Sequence, residues 1–315
     1  MTRHLALVGP TAAGKSAVAL ELARIAGDVE LVSLDSMQVY RGLDIGTAKP
    51  TPAELSEVVH HLVDVVDPTE EWSVQRTQVA ARAAIDDIEA RGQRAVLVGG
   101  TGLYVRAVVD DLQIPPTDAA LRHALDDAAH HDAGLEAAYA RLTELDPIAA
   151  ARMEPGNRRR IVRALEVIEL TGRQFSSFGP GIDEYAPPAM SVAIYGIDVD
   201  RDALRTRIAD RFAAMRAQGL LDEVKGLAGR PLSRTSREAI GYRELFAYLE
   251  GDIPDLDEAF DAAVRRTRRF ARRQRVWFGR DPRVRWIEGN TATRELAAGL
   301  LHEWRASEPL GTAVS

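Results

Sequence analysis

The chain has 315 residues, 46% of them apolar and 28% charged, enough to bury a sizeable core in one large or two smaller domains of a soluble globular protein. It contains no cysteine, which excludes disulfides, thiolate metal sites and a thiol nucleophile and fits a reducing compartment. The net charge of −7 argues against wholesale non-specific nucleic-acid binding, though not against a local basic surface.

In chain order, Leu5–Val8 reads as a first strand and Ala17–Ile25 as a helix. Between them lies Gly9-Pro10-Thr11-Ala12-Ala13-Gly14-Lys15-Ser16, the Walker-A pattern in the strand–loop–helix setting it requires. Glycines let the backbone curl so that its N–H groups face phosphate oxygens. The helix N-terminus and Lys15 add positive charge, and the Ser16 hydroxyl can ligate Mg²⁺. Any di- or triphosphate satisfies such a loop. A second strand, Glu30–Leu34, ends in Asp35-Ser36, and a short strand is expected near Leu62–Val66. Ser73 caps a helix with Val74, Thr77, Ala81, Ile85 and Ile88 at helical spacing, stopping at Gly92. Ala95–Val98 is a buried strand followed by Gly99-Gly100-Thr101-Gly102. This alternation predicts a mostly parallel sheet flanked by helices, with the three motifs converging beyond the strands' carboxyl ends.

Pro115-Pro116 breaks the pattern. Residues 115–190 read as an all-helical insertion closing in a Gly/Pro-rich stretch, Phe178–Pro188, and residues 1–114 with 191–315 form the α/β core. Val192–Val199 returns to the sheet. Asp200 caps a helix marked by Leu204, Ile208, Phe212 and Met215, and the region after Ser233 reads as mainly helical.

Asp35, at a strand end beside a phosphate cradle, can hold Mg²⁺ or act as a general base, although a turn cap would serve equally from that residue alone. The polar run Gly42–Pro50 is too long for an ordinary turn, and long loops in compact domains are usually functional. The strand ending at Val98 carries Gly99-Gly100-Thr101 where an ATP-hydrolysing enzyme would often place Asp; Thr101 offers a hydroxyl and an N–H to a leaving-group oxygen. Two arginine clusters stand out. Asn157-Arg-Arg-Arg160 with Arg163 opens a helix buried through Ile161, Leu165 and Ile168. The second runs from Arg265 to Arg275, with Phe260, Val264, Thr267 and Ala271 as its buried stripe. Guanidinium density in an acidic protein favours phosphate contact over a merely solvated face. The paired histidines His60-His61 and His130-His131 lack zinc spacing and read as structural.

Together these segments resemble the bacterial tRNA isopentenyltransferase family. The match is carried by the loop at 9–16, Asp35-Ser-Met-Gln-Val-Tyr40, Asp44-Ile-Gly-Thr-Ala-Lys-Pro50, His61-Leu-Val-Asp64 and Leu97-Val-Gly-Gly-Thr-Gly-Leu-Tyr104. It continues through Arg159–Val167, Ala239-Ile-Gly-Tyr-Arg-Glu244 and Thr267–Phe278. The resemblance implies a P-loop NTPase-like fold and transfer of a dimethylallyl group from dimethylallyl diphosphate to N6 of an adenosine beside the anticodon, in tRNAs reading codons that start with U. It implies Asp35 as general base, Thr101 at the diphosphate, Lys15 and Mg²⁺ at Ser16 neutralising departing charge, and Gly9–Ser16 holding the diphosphate. Asp35, Ser36, Met37, Gln38, Thr101, Arg122, Arg159, Arg160, Ile161, Val162 and Arg163 would meet the tRNA, with Arg269, Arg272 and Arg273 on the anticodon-stem backbone. A cytoplasmic monomer without membrane attachment is expected, since Met1-Thr-Arg-His does not read as a signal peptide and no stretch approaches a membrane span. Two departures are visible: Gln75-Arg76-Thr77 replaces the family's acidic-aromatic step, and no Cys/His zinc finger follows the core. A small-molecule P-loop kinase, a transferase acting on free adenine nucleotides and an RNA-binding GTPase-like module are the alternatives.

Overall fold

The computed structural model describes residues 3–179 and 184–306, so residues 180–183 of the Gly/Pro-rich stretch lie outside the described residues. Six strands form one sheet: β1 (His4–Val8), β2 (Val29–Ser33), β3 (His60–His61), β4 (Arg94–Gly99), β5 (Val192–Asp198) and β6 (Val284–Glu288). Their order is β3-β2-β4-β1-β5-β6 and every pairing is parallel. All five residues of β1 and of β2 are buried, as expected of near-continuous apolar strands in a parallel sheet covered on both faces.

Helices α1 (Lys15–Ala26), α2 (Pro52–Glu57), α3 (Val74–Ala90) and α4 (Gly102–Val109) connect the first strands. In α3 the Ser73 hydroxyl accepts from the Arg76 N–H, and Thr77, Ala81, Ile85 and Ile88 are buried at helical spacing. The chain divides into two compact units, Met1–Asp111 with Tyr185–Ser315, and Leu112–Glu184. The second unit holds α5 (Ala119–Ala128), α6 (Asp132–Leu145), α7 (Pro147–Ala151) and α8 (Arg158–Thr171). The first resumes after β5 with α9 (Arg201–Ala217), α10 (Leu220–Leu227), α11 (Arg234–Arg237), α12 (Tyr242–Leu249), α13 (Leu256–Phe278) and, after β6, α14 (Thr293–Ala306). Among the described residues no helix is long and apolar enough to cross a membrane.

One expectation needs correction. The strand near Leu62–Val66 is instead the two residues of β3, because Leu62 (φ 63°) and Asp64 (φ 55°) take left-handed conformations that a strand cannot continue. Val66 keeps only a single parallel bridge, to Tyr40. The region after Ser233 is mainly helical, as expected, and adds the edge strand β6.

The helical unit packs Leu142, Ala149, Ile161 and Leu165 into its own core. Beside them Glu166 is 0% exposed. Its carboxylate accepts from Arg122 Nε (2.9 Å), Arg163 Nη1 (2.7 Å) and the Asp118 N–H (2.8 Å). Arg163 also donates to the carbonyls of Pro115 and Pro116, each at 2.8 Å. The charge is therefore sealed by full hydrogen bonding at the mouth of α5 and α8, and deleting it strands two guanidinium groups. In urea denaturation of the full chain, Glu166→Ala is expected to cost about 3 kcal/mol, with the loss seen first in the helical signal.

Candidate active site

Because β2, β4 and β1 are parallel neighbours, their carboxyl ends deliver Asp35, Gly99-Gly100 and the Gly9–Ser16 loop to one edge of the sheet. A cavity of about 800 Å³ opens there, lined by residues that include Lys15, Ser16, Asp35, Gln38, Gly100 and Arg211. Thr101 is not among the lining residues; it is the N-cap of α4, its hydroxyl making no capping bond.

Gly14 sits at φ 94° as the N-cap of α1, a conformation a side chain would resist, and no cap side chain occupies the helix N-terminus. Of the loop's remaining residues Ala13 is buried, whereas Ser16 is exposed to the cavity. Lys15 is only 9% exposed, its ammonium donating to the Pro10 carbonyl at 2.7 Å. Burial pushes its pKa down to about 8; Arg211 acts in the same direction and Asp35 opposes. Arg211, on α9, donates to Thr11 Oγ1 at 3.3 Å. Its guanidinium is also held below its ordinary value by burial, with Asp35 again favouring the charge. Lys15, Arg211 and Asp35 thus share one field, two cations against one carboxylate.

Asp35 Oδ1 accepts the Met37 N–H at 2.8 Å, which aims the carboxylate while leaving Oδ2 without a protein partner among the described residues. Gln38 is buried. It accepts from Ser33 Oγ at 2.8 Å and donates to the carbonyls of Thr47 (3.3 Å) and Ala48 (3.2 Å), so its amide is spent on the cavity wall. That wall, residues 44–49, has two more clamps. Lys49 donates to Tyr40 O, Asp44 Oδ1 and Asp64 Oδ1, each at 2.5 Å. Glu223, on α10, accepts the N–H groups of Asp44 (3.0 Å), Ile45 (2.8 Å) and Gly46 (3.2 Å). The Tyr242 hydroxyl donates to the same carboxylate at 2.5 Å, and burial foremost, with Glu223, raises the Tyr242 pKa.

Along α13 one side is buried through Phe260, Thr267, Ala271 and Gln274, with Val264 half-buried. On the other, Arg265, Arg269, Arg272 and Arg273 are exposed. Arg266 pairs with Glu244 at 3.0 Å, Arg275 with Asp198 at 2.9 Å, and Arg273 stacks on Phe270. No ion pair holds Arg265, Arg269 or Arg272 among the described residues. In the helical unit Arg159 and Arg160 are likewise exposed and without ion pairs, while Arg122 and Arg163 are committed to Glu166. Ile161 and Val162, expected to meet tRNA, are 0% and 3% exposed, their side chains packed in the core.

Sequence reasoning missed Arg211, Arg207, Glu223 and Gln274. Arg207 and Arg211 each stand three residues beyond a buried apolar position of α9, Leu204 and Ile208, so they border the packed stripe instead of facing away from it. That spacing was a usable signal. Gln274 continues the buried stripe of Thr267 and Ala271, a further signal of that kind, whereas Glu223 had none, because its partners lie far away in the chain.

Among the described residues no cluster of three His or acidic side chains could hold a metal. The cleft instead offers the Ser16 hydroxyl and Asp35 Oδ2. That sparse oxygen set fits Mg²⁺, which habitually takes most of its ligands from phosphate and water.

The sequence model described as IPP transferase matches residues 38–281. The chain is 49% identical over 305 residues to a tRNA dimethylallyltransferase of Salinispora arenicola, covering 96% of this chain and 86% of the relative. It is 50% identical over 288 residues to that of Pseudarthrobacter chlorophenolicus, covering 90% and 93%. Among solved structures it is similar to a tRNA isopentenylpyrophosphate transferase of Bacillus halodurans, with TM-score 0.67, 39% identity, and 97% and 99% coverage of the two chains.

Removing the Glu223 carboxylate frees three backbone donors at once. Glu223→Ala is therefore expected to speed amide hydrogen exchange at Ile45 and Gly46 by about tenfold or more, leaving exchange in β1 unchanged.

Proposed function

The chain belongs to the IPP transferase family, and on that footing we propose that it transfers the dimethylallyl group of dimethylallyl diphosphate to N6 of the adenosine directly 3′ to the anticodon, in tRNAs reading codons that start with U, releasing diphosphate. The observation that carries the reading is the convergence of buried Lys15 and Arg211 on one cavity with Asp35, the carboxylate whose charge acts on both. Two desolvated cations favour an anion there, and a carboxylate beside them suits proton removal.

An exocyclic adenine amine is a weak nucleophile because its lone pair is delocalised into the ring. The allylic C1–O bond breaks with its electron pair leaving on the diphosphate, the N6–C1 bond forms, and the N6 proton passes to the Asp35 carboxylate. Lys15, Arg211 and the loop N–H groups meet charge where it develops, and Thr101 steadies the bridging oxygen from the N-terminus of α4. Mg²⁺, held at Ser16 and by the diphosphate itself, would neutralise further charge on the leaving group. The target base must leave its stack to reach the cleft. Exposed arginines that no ion pair holds among the described residues supply phosphate contacts for the tRNA: Arg269 and Arg272 on α13 in one unit, and Arg159 and Arg160 on α8 in the other. Arg122 and Arg163 support this indirectly: Arg122 ties α5 to Glu166 of α8, and Arg163 ties α8 to the Pro115 and Pro116 carbonyls.

Incubation with dimethylallyl diphosphate and undermodified tRNA tests the reading: the expected result is a prenylated adenosine, and folded protein that transfers nothing rejects it. In the same assay Asp35→Ala is expected to lower turnover by about 10²–10⁴-fold with tRNA affinity retained. A second check uses inorganic pyrophosphate. Free Lys15 loses its proton as pH rises through about 8, whereas a bound anion favours the charged form. Affinity measured by calorimetry should therefore fall about tenfold between roughly pH 7 and 9 relative to Lys15→Met, which lacks the titrating group.

A further inference from the structure

The arginine-bearing helix also reaches into the diphosphate site. Gln274 is 6% exposed and lies on the packed side of α13. Its carboxamide oxygen accepts the Thr11 N–H at 2.8 Å, and its nitrogen donates to the Gly100 carbonyl at 2.8 Å. Thr11 belongs to the loop after β1 and Gly100 to the turn after β4, so one side chain spans the ends of two neighbouring strands. The fit demands an amide, because it must accept on one side and donate on the other. It is also close. A Cβ on Gly100 would stand 2.4 Å from Gln274 Nε2, and one on Gly102 would stand 1.9 Å from the Trp277 ring. Thr101 lies between those two contacts.

We propose that Gln274 is a positioning residue for prenyl transfer: its amide sets the span between the diphosphate-gripping loop and the Gly100-Thr101 turn, so that Thr101 stands at the bridging oxygen of the diphosphate the loop holds. Gln274 borders the same cavity and acts through these two backbone partners. The proposal rests on the prenyl-transfer reading.

Gln274→Leu and the near-isosteric Gln274→Glu, which keeps the acceptor for Thr11 but turns an oxygen towards the Gly100 carbonyl, test it. Both are expected to lower kcat by about 10- to 100-fold while KM for tRNA stays within about twofold, because Arg269 and Arg272 are untouched. A merely structural role would not divide kcat from KM in this way, and wild-type kcat in either folded variant overturns the proposal. Pyrophosphate calorimetry provides a readout independent of transfer. Gly100→Ala drives a methyl group into the amide, so its loss of affinity and that of Gln274→Ala should not multiply in the double variant. Multiplicative losses would show that the two residues act separately and would also overturn the proposal. A wild-type protein that binds pyrophosphate yet transfers no prenyl group rejects the functional reading, while the double variant still decides whether Gln274 governs the loop.

Discussion

Lys15 and Arg211 are held in a cleft where water cannot fully solvate them, with Asp35 as the carboxylate in their field. Burying a cation is unfavourable unless something compensates it, and one carboxylate does not compensate two. A surplus of that sign suits an anion, as the proposed reaction requires. It also explains why the α1 N-terminus carries no side-chain cap: the donors there stay available for a ligand. Much of the surrounding structure serves to hold those charges in place against their tendency to reach solvent.

That holding is done from a distance. The wall at residues 44–49 is fixed by Gln38 on its carbonyls, Glu223 on its N–H groups and Lys49 on its flanking acids. The loop at 9–16 is fixed by Gln274 and Arg211. In each case at least one clamp comes from a helix that follows β5 in the chain: Glu223 on α10 for the wall, Arg211 on α9 and Gln274 on α13 for the loop. Lys15 and Asp35 come from the first part of the chain, while later helices supply Arg211 and much of the clamping, an arrangement that suits a reaction depending on alignment.

The same division decides what could be read from the sequence. Local chemistry was legible: the Gly9–Ser16 loop, the Ser73 and Asp200 caps and the apolar period of α3 need only neighbouring residues to be recognised. The helical spacing of Ile161 with Leu165 also placed it in the core, where the structure buries it fully. The edge strand β6 escaped notice because it is short, mostly exposed and set between two long helices. Long-range clamps such as Glu223 were out of reach, since a carboxylate that accepts backbone N–H groups looks like any surface acid until the fold brings the loop to it.

Strand order has a consequence for biosynthesis. β1 emerges first from the ribosome, yet it lies between β4 and β5, and β5 is made only after the whole of Leu112–Glu184. The nascent sheet must therefore wait with β1 bare along one edge while the helical segment, rich in local contacts, completes a core of its own. Chaperone dependence in the cell would be concentrated in that interval.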